Sequence, residues 1–177
     1  EYSYENLFEL FELSDEVNVP VGDYNSAKFS GFLMTPMTKP FWMGLELDWG
    51  GFYDGRVISV NVLPSWSLSS SFVLTGGYVF SKVDFSRRDQ HFLSHIGRLK
   101  ALLMFSTKLS LSAFLQYNTE SHQIGSNIRF RYNTREGNDL WIVYNEGTNT
   151  DLVREIPNPP RLAGRTVMLK YTYTFRL

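Results

Sequence analysis

Histidine beside serine or a carboxylate is the usual equipment for hydrolysis at neutral pH, and the chain holds three histidines, His91, His95 and His122. Ser94 adjoins His95 in "HFLSHIG". Neighbours on an extended strand point to opposite faces, so that pair cannot act together. Spacing puts His95 on the side of Leu99 and Leu103, while His91 borders the polar loop "DFSRRDQ" and His122 falls in another loop. Loop or interface histidines are the better reading, and no catalytic residue is assigned. The carboxylates Asp15, Glu16 and Asp23 in "SDEVNVPVGD", with Glu146 and Asp151 in "NEGTNTD", offer hard oxygen ligands. Neither stretch has the spacing of a calcium loop. The chain contains no cysteine, which excludes thiolate metal sites and disulfides. No metal or cofactor site is assigned.

A different set of residues has a pattern that chemistry could use. Arg98 and Lys100, Arg129 and Arg131, then Lys170 and Arg176 fall on one parity of their segments. Glu46 and Asp48, with Glu5 and Glu9 upstream, take the equivalent parity in earlier segments. A basic wall opposite an acidic one would orient or select solutes in a wet passage. The alternative is that a hydrated interior is simply polar, its charges paired across strands or with a plug.

The elements that must carry these charges repeat every two residues, not every 3.6. In "FWMGLELDWGGFY", Phe41, Met43, Leu45, Leu47 and Trp49 alternate with Glu46 and Asp48; in "IGSNIRFRYNT", Ile128, Phe130 and Tyr132 alternate with Arg129 and Arg131. "RVISVNV", "SFVLTGGYVFSK", "HIGRLKALLMF", "KLSLSAFLQYN" and "DLWIVYNEG" read the same way, while "YSYENLFELFEL" and "YNSAKFSGFLMT" alternate less cleanly. The chain closes on a strand apolar at Val167, Leu169, Tyr171, Tyr173, Phe175 and Leu177, with Lys170 and threonines between. That makes about ten strands, many of about 10–13 residues against a usual 5 or 6.

Connections at about 13–23, 50–55, 85–91, 119–123 and 147–164 alternate with mostly tighter ones at about 36–40, 64–70, 106–107 and 135–139. Long loops at one end and short turns at the other mark an up-and-down membrane barrel. Aromatic residues fall at both ends: Trp49, Phe52, Tyr53, Tyr117 and Tyr144 at one, and Phe41, Trp42, Trp66, Phe105 and Tyr132 at the other. Two girdles at the headgroup level would place them so. In hydrocarbon every backbone amide must pair within the protein, which only helices or a closed barrel achieve. No apolar run reaches the roughly 18 residues of a spanning helix.

The expected fold is therefore all-β: an antiparallel up-and-down transmembrane β-barrel, residues 1–177 supplying about ten strands of a larger one. Val167, Leu169, Tyr171, Tyr173 and Phe175 should face lipid; Glu46, Asp48, Arg98, Lys100, Arg129, Arg131 and Lys170 should face the lumen. At 177 residues the chain is about one domain. Its net charge of −1 gives no electrostatic footprint for nucleic acid. It opens on Glu1 without a signal peptide, and a piece of a longer chain is the favoured reading.

The stretches "FELSDEVNVPVGDY", "LELDWGGFYDGR", "FSTKLSLSAFLQYN", "GSNIRFRYNTREGNDLWIVYNEG" and "LKYTYTFRL" resemble large bacterial outer-membrane proteins of unassigned function. That family carries an N-terminal carbohydrate-binding family-nine-like module and a long C-terminal barrel. The resemblance covers nearly the whole chain and implies the C-terminal barrel segment, located in the bacterial outer membrane. The implied partners are outer-membrane lipid, the upstream part of the same chain, other envelope proteins or glycans, and the barrel-insertion machinery. That machinery would read the closing strand, whose Phe175 is followed by Arg176 and Leu177 where an aromatic residue usually ends the signal. No catalytic motif transfers from the family, so the segment is expected not to be an enzyme. Four functions follow in descending order: a channel or transport barrel for solutes such as carbohydrates, an anchor or scaffold for the sugar-binding-like module or a partner complex, an outer-membrane hydrolase, and a soluble sandwich or lipocalin-like barrel.

Overall fold

The computed structural model describes residues 1–14 and 17–175. Among them the regular elements are all strands: β1 (Tyr2–Leu7), β2 (Phe11–Ser14), β3 (Val17–Val19), β4 (Gly22–Met34), β5 (Phe41–Phe52), β6 (Gly55–Ser69), β7 (Phe72–Phe85), β8 (Gln90–Met104), β9 (Leu109–Asn118), β10 (Gln123–Arg135), β11 (Asn138–Asn149) and β12 (Leu162–Thr172). Ten of them form one antiparallel up-and-down sheet in the order β1-β4-β5-β6-β7-β8-β9-β10-β11-β12, and β2 and β3 pair with each other. The strand count and order match the period-two reading. The sheet is open: β1 and β12 are its two edges and do not pair.

Each strand exists because one side of it is apolar, and the register joins those sides into one surface. Phe41 faces Trp66 and Leu45 faces Val62; Ile128 faces Ala113 on one side and Tyr144 on the other; Tyr144 faces Val167. The residues between them form the opposite, polar face. Pro64 sits inside β6 on the apolar side, where it interrupts the ladder between Val62–Tyr78 and Ser65–Thr75. Proline has no amide hydrogen to give that ladder. Gly76 makes room for it, since a Cβ there would lie 2.9 Å from the Pro64 ring.

Several boundaries differ from those expected. The loop expected at 50–55 shrinks to Tyr53 and Asp54, because Gly50, Gly51 and Phe52 go on pairing with Val57, Arg56 and Gly55. The connections at 86–89 and 119–122 are likewise short, so only 8–21 and 150–161 are long at this end. The turn expected at 64–70 reduces to residues 70–71 because β6 runs through to Ser69. At the C-terminus β12 stops at Thr172, paired with Asp139. Tyr173 and Phe175, expected on the strand, lie beyond it, since β11 has only Asn138 left past the last pair and its side chain takes the Thr174 amide. The Thr174 hydroxyl donates to the Gly137 carbonyl at 2.8 Å and its amide to Asn138 Oδ1 at 3.0 Å. Arg176 and Leu177 lie outside the described residues.

The first connection holds the largest departure. "YSYENLFELFEL" breaks after Leu7, so Glu9, expected on the polar parity of a strand, lies in a connection. The chain then forms the β2–β3 hairpin, and the only buried apolar residues described are Val17, Val19, Val83 and Phe85.

Candidate functional site: the polar face

Register puts all seven expected lumen charges on one side of the sheet. Glu46 faces Asn61, Asn61 faces Val79 and Val79 faces Ile96, which carries Arg98 and Lys100 onto the same face. Gln116 links Arg98 to Gly125, and with it Arg129 and Arg131. Trp141 links Arg131 to Lys170. The two acids sit together on β5 and the five cations spread over β8, β10 and β12. Three inter-strand steps of about 4.8 Å separate the acidic strand from the first basic one, roughly 14 Å along the sheet.

Neutral donors hold the acids: the Ser30 hydroxyl donates to Asp48 at 2.5 Å and the Asn61 amide to Glu46 at 3.3 Å. The Arg98 Nε donates to the Gln116 side-chain oxygen at 3.1 Å. Of the seven, Arg131 alone is in an ion pair among the described residues, with Asp139 at 2.8 Å. Its guanidinium also lies 5.1 Å from the Trp141 ring centre. Cross-strand ion pairing therefore engages one of the seven, and Lys28 on β4 and Asp139 on β11 share the same face. Short polar side chains fill the rest of the wall, as in Ser59 with Ser81 at 3.0 Å and Ser3 with Ser26 at 2.8 Å.

A groove of about 430 Å³ runs beside Phe114, Gln116, Asn127 and Asn145. Its floor is a row of three glycines in register, Gly125 facing Gly147 and Gly147 facing Gly164. A Cβ on Gly125 or Gly164 would meet nothing within 4 Å, so packing within the sheet does not require them.

At the end of the sheet carrying the long connections, the polar face changes character under the β2–β3 hairpin. Leu7, Tyr24, Phe52, Val57 and Phe92 pack around the buried Val17, Val19, Val83 and Phe85. Tyr53, in the tight β5–β6 turn with φ 52°, closes the cluster edge-on to Phe52 and Tyr24, at 4.7 and 5.2 Å between ring centres. Burial pushes its hydroxyl up to about 12, helped by a hydrogen bond to Glu5. This patch was not anticipated from the sequence. The available signal was Phe11 and Leu13, then Val17 and Val19, alternating on either side of three polar residues.

The remaining candidates lie on the opposite face or in the connections. His95 lies on that face, its Nδ1 hydrogen-bonded to the Tyr78 hydroxyl at 2.7 Å, while Ser94 is on the polar face opposite Ser81. His91 is on β8 opposite Asp84, and His122 is in the 119–122 turn. The three are not brought together. Asp23 accepts from Tyr4 at 2.7 Å, Glu146 pairs with Arg165 at 2.6 Å, and Asp151 caps the Val153 amide at 3.0 Å. Asp15 and Glu16 lie outside the described residues. Among the expected girdle aromatics, Trp42 and Phe52 share the parity of Glu46 and point to the polar face instead. On the closing strand Val167, Leu169 and Tyr171 are 66%, 72% and 58% exposed on the apolar face. No family model, curated protein or solved structure matches the chain.

Proposed function

We propose that the chain is a segment of a bacterial outer-membrane β-barrel that passes solutes, carbohydrates among them, along its polar face. One observation carries the reading: an apolar band across one face that holds no charged side chain, those of that face, Lys82, Asp84, Glu146 and Arg165 among them, lying beyond it toward the long connections. The band runs Phe41–Trp49 on β5, Ile58–Trp66 on β6, Phe72–Phe80 on β7, Leu109–Tyr117 on β9 and Ile124–Tyr132 on β10. Each stretch is about nine residues, the length a tilted strand needs to cross hydrocarbon, about 9–11 residues. Leu47, Trp49, Leu99, Leu115 and Ile128 on this band are all exposed. A surface this large and apolar needs a cover, and lipid supplies one along its whole width. An arginine or lysine there would cost about 2–4 kcal/mol at the bilayer centre.

Lipid is then one partner, and further strands are another. The free edges of β1 and β12 carry unpaired amides that hydrocarbon does not tolerate. Closure by strands from the upstream part of the same chain satisfies them and makes the polar face a lumen. The barrel-insertion machinery would engage the closing strand. The resemblance to outer-membrane proteins bearing a sugar-binding-like module supports the same location and the carbohydrate cargo. Inside, Glu46 and Asp48 face cations on the far strands, and the transverse field orients charged or dipolar solutes.

Planar-bilayer conductance of the full-length protein tests the proposal. Discrete ion-conducting steps are expected, and a correctly inserted barrel without conductance would sink the transport reading. One observation favours a second reading, an anchor for the sugar-binding-like module or for a partner complex. The hairpin packed over the polar face is what a filled barrel would hold. That reading expects no conductance, and glycan binding lost entirely when the N-terminal module is removed.

A further inference from the structure

We propose that the β2–β3 hairpin is an inward-folded cover that closes the polar face at its long-connection mouth and, on the transport reading above, sets the bore there. The argument begins in three successive rows across β5 to β8. The row Asp48, Ser59, Ser81 and Ser94 is hydrophilic. The next row outward is Gly50, Val57, Val83 and Phe92, and beyond it stand Phe52, Gly55, Phe85 and Gln90. Outward of that hydrophilic row the wall turns apolar at Val57, Val83, Phe85 and Phe92, the residues packed with the hairpin. A wet mouth has no use for that change, but a hairpin seated on it does.

The hairpin matches the patch. Val17 and Val19 are 3% and 0% exposed, as deeply covered as Val83 and Phe85 at 3% and 1%. The Phe11 ring lies 5.9 Å from that of Tyr53, fixing β2 over the β5–β6 turn. The connection between β1 and β4 thus folds back over the polar face, although it could have projected outward. The three inter-strand steps from β5 to β8, at about 4.8 Å each, make roughly 14 Å of wall under the hairpin.

A single arginine ties the cover down. Arg88, in the β7–β8 turn, donates from Nη1 to the Asn18 carbonyl of β3. Its Nη2 pairs with Asp54 of the β5–β6 turn at 2.8 Å, and its guanidinium stands 4.1 Å from the Phe85 ring centre. Hairpin, both turns and the apolar patch therefore meet at one side chain. Arg88 keeps its Nε buried with no hydrogen-bond partner among the described residues. Removing it would loosen the cover while leaving the sheet ladders intact.

The test uses the full-length protein in lipid, with any cysteine outside residues 1–177 replaced, since these residues contain none. Val17→Asp with Val19→Asp puts charge into the apolar seat and should undock the hairpin; Arg88→Ala should loosen it. Single-channel conductance is expected to rise at least two-fold in the double variant and to become unsteady, between closed and open levels, in Arg88→Ala. Conductance equal to that of a conducting parent would overturn the proposal. A second readout does not need a pore: reaction of Val83→Cys with a water-soluble maleimide, compared with Gln116→Cys on the uncovered polar face. The parent should label at Val83→Cys at least ten-fold more slowly than at Gln116→Cys, and undocking should bring the two rates together. If no protein conducts but this rise in labelling occurs, the transport reading fails and the cover stands. Equal rates at the two sites in the parent would remove the cover. An unchanged Gln116→Cys rate in the undocked variant shows that the sheet itself has survived.

Discussion

Val19 and Val167 are the same kind of side chain in two opposite settings. Val19 has no exposed surface, sealed between the hairpin and β7, whereas Val167 is 66% exposed on an apolar face with no protein over it. The first region is a small protein core of the kind that folds in water, with aromatic rings tilted against one another. The second is far more extensive and equally apolar, yet it is one layer thick. The difference teaches that the sheet is not held up by a core on its apolar side. Backbone ladders hold it, and on the proposed reading lipid covers its apolar surface.

Breaking each region should therefore give different signatures. Phe85→Ala empties the centre of the hairpin seat, and large-to-small changes of buried Phe typically cost about 3–5 kcal/mol. The loss should appear as faster hydrogen exchange at Val17–Val19 and not along β10–β12. Leu45→Arg sits mid-band beside Val62 and should cost about 2–4 kcal/mol in lipid vesicles, measured by denaturant titration. The neighbouring Glu46→Gln should cost far less, which sharpens the contrast between faces. Alkaline pH separates the regions again. The Tyr53 hydroxyl is raised above its unfolded value near 10 to about 12, so the neutral form is favoured in the folded state. Its contribution is complete below pH 10 and lost as pH climbs through about 12, loosening the hairpin seat before the band. Tyr53→Phe should abolish that step in an ultraviolet tyrosine titration. The smallest effect belongs to Arg131→Ala. Its pair with Asp139 is partly exposed and worth about 0.2–1 kcal/mol by a double-mutant cycle with Asp139→Ala.

Period-two alternation made most of the sheet legible, because Leu45 and Glu46, or Ile128 and Arg129, are chemically unmistakable neighbours. The grouping of the seven charges followed directly, since parity within a strand is a local property that register then extends across the sheet. The hairpin was less legible. Val17–Val19 is too short to show a period and reads as part of a loop, while Phe11–Leu13 reads as the end of the first strand and not as one arm of a separate hairpin. Tyr173 and Phe175 show the opposite failure: their alternation continues after the partner strand has ended, and a pattern cannot report where its ladder stops. Trp42 and Phe52 were assigned by height along the strand, which fits a girdle, but their parity with Glu46 sends them to the other face. Edge pairing is not a local property at all, and the open β1 and β12 edges emerge only from the assembled sheet.

The most direct test of the central claim is a nine-position cysteine scan of β10 from Ile124 to Tyr132 in lipid, each site carrying a spin label read with oxygen and with a water-soluble nickel complex. The account predicts strict alternation: oxygen-rich, nickel-poor collisions at Ile128 and Phe130, and the reverse at Asn127, Arg129 and Arg131. Equal access of the nickel complex to both sets would contradict it and return the apolar face to water or to a protein partner.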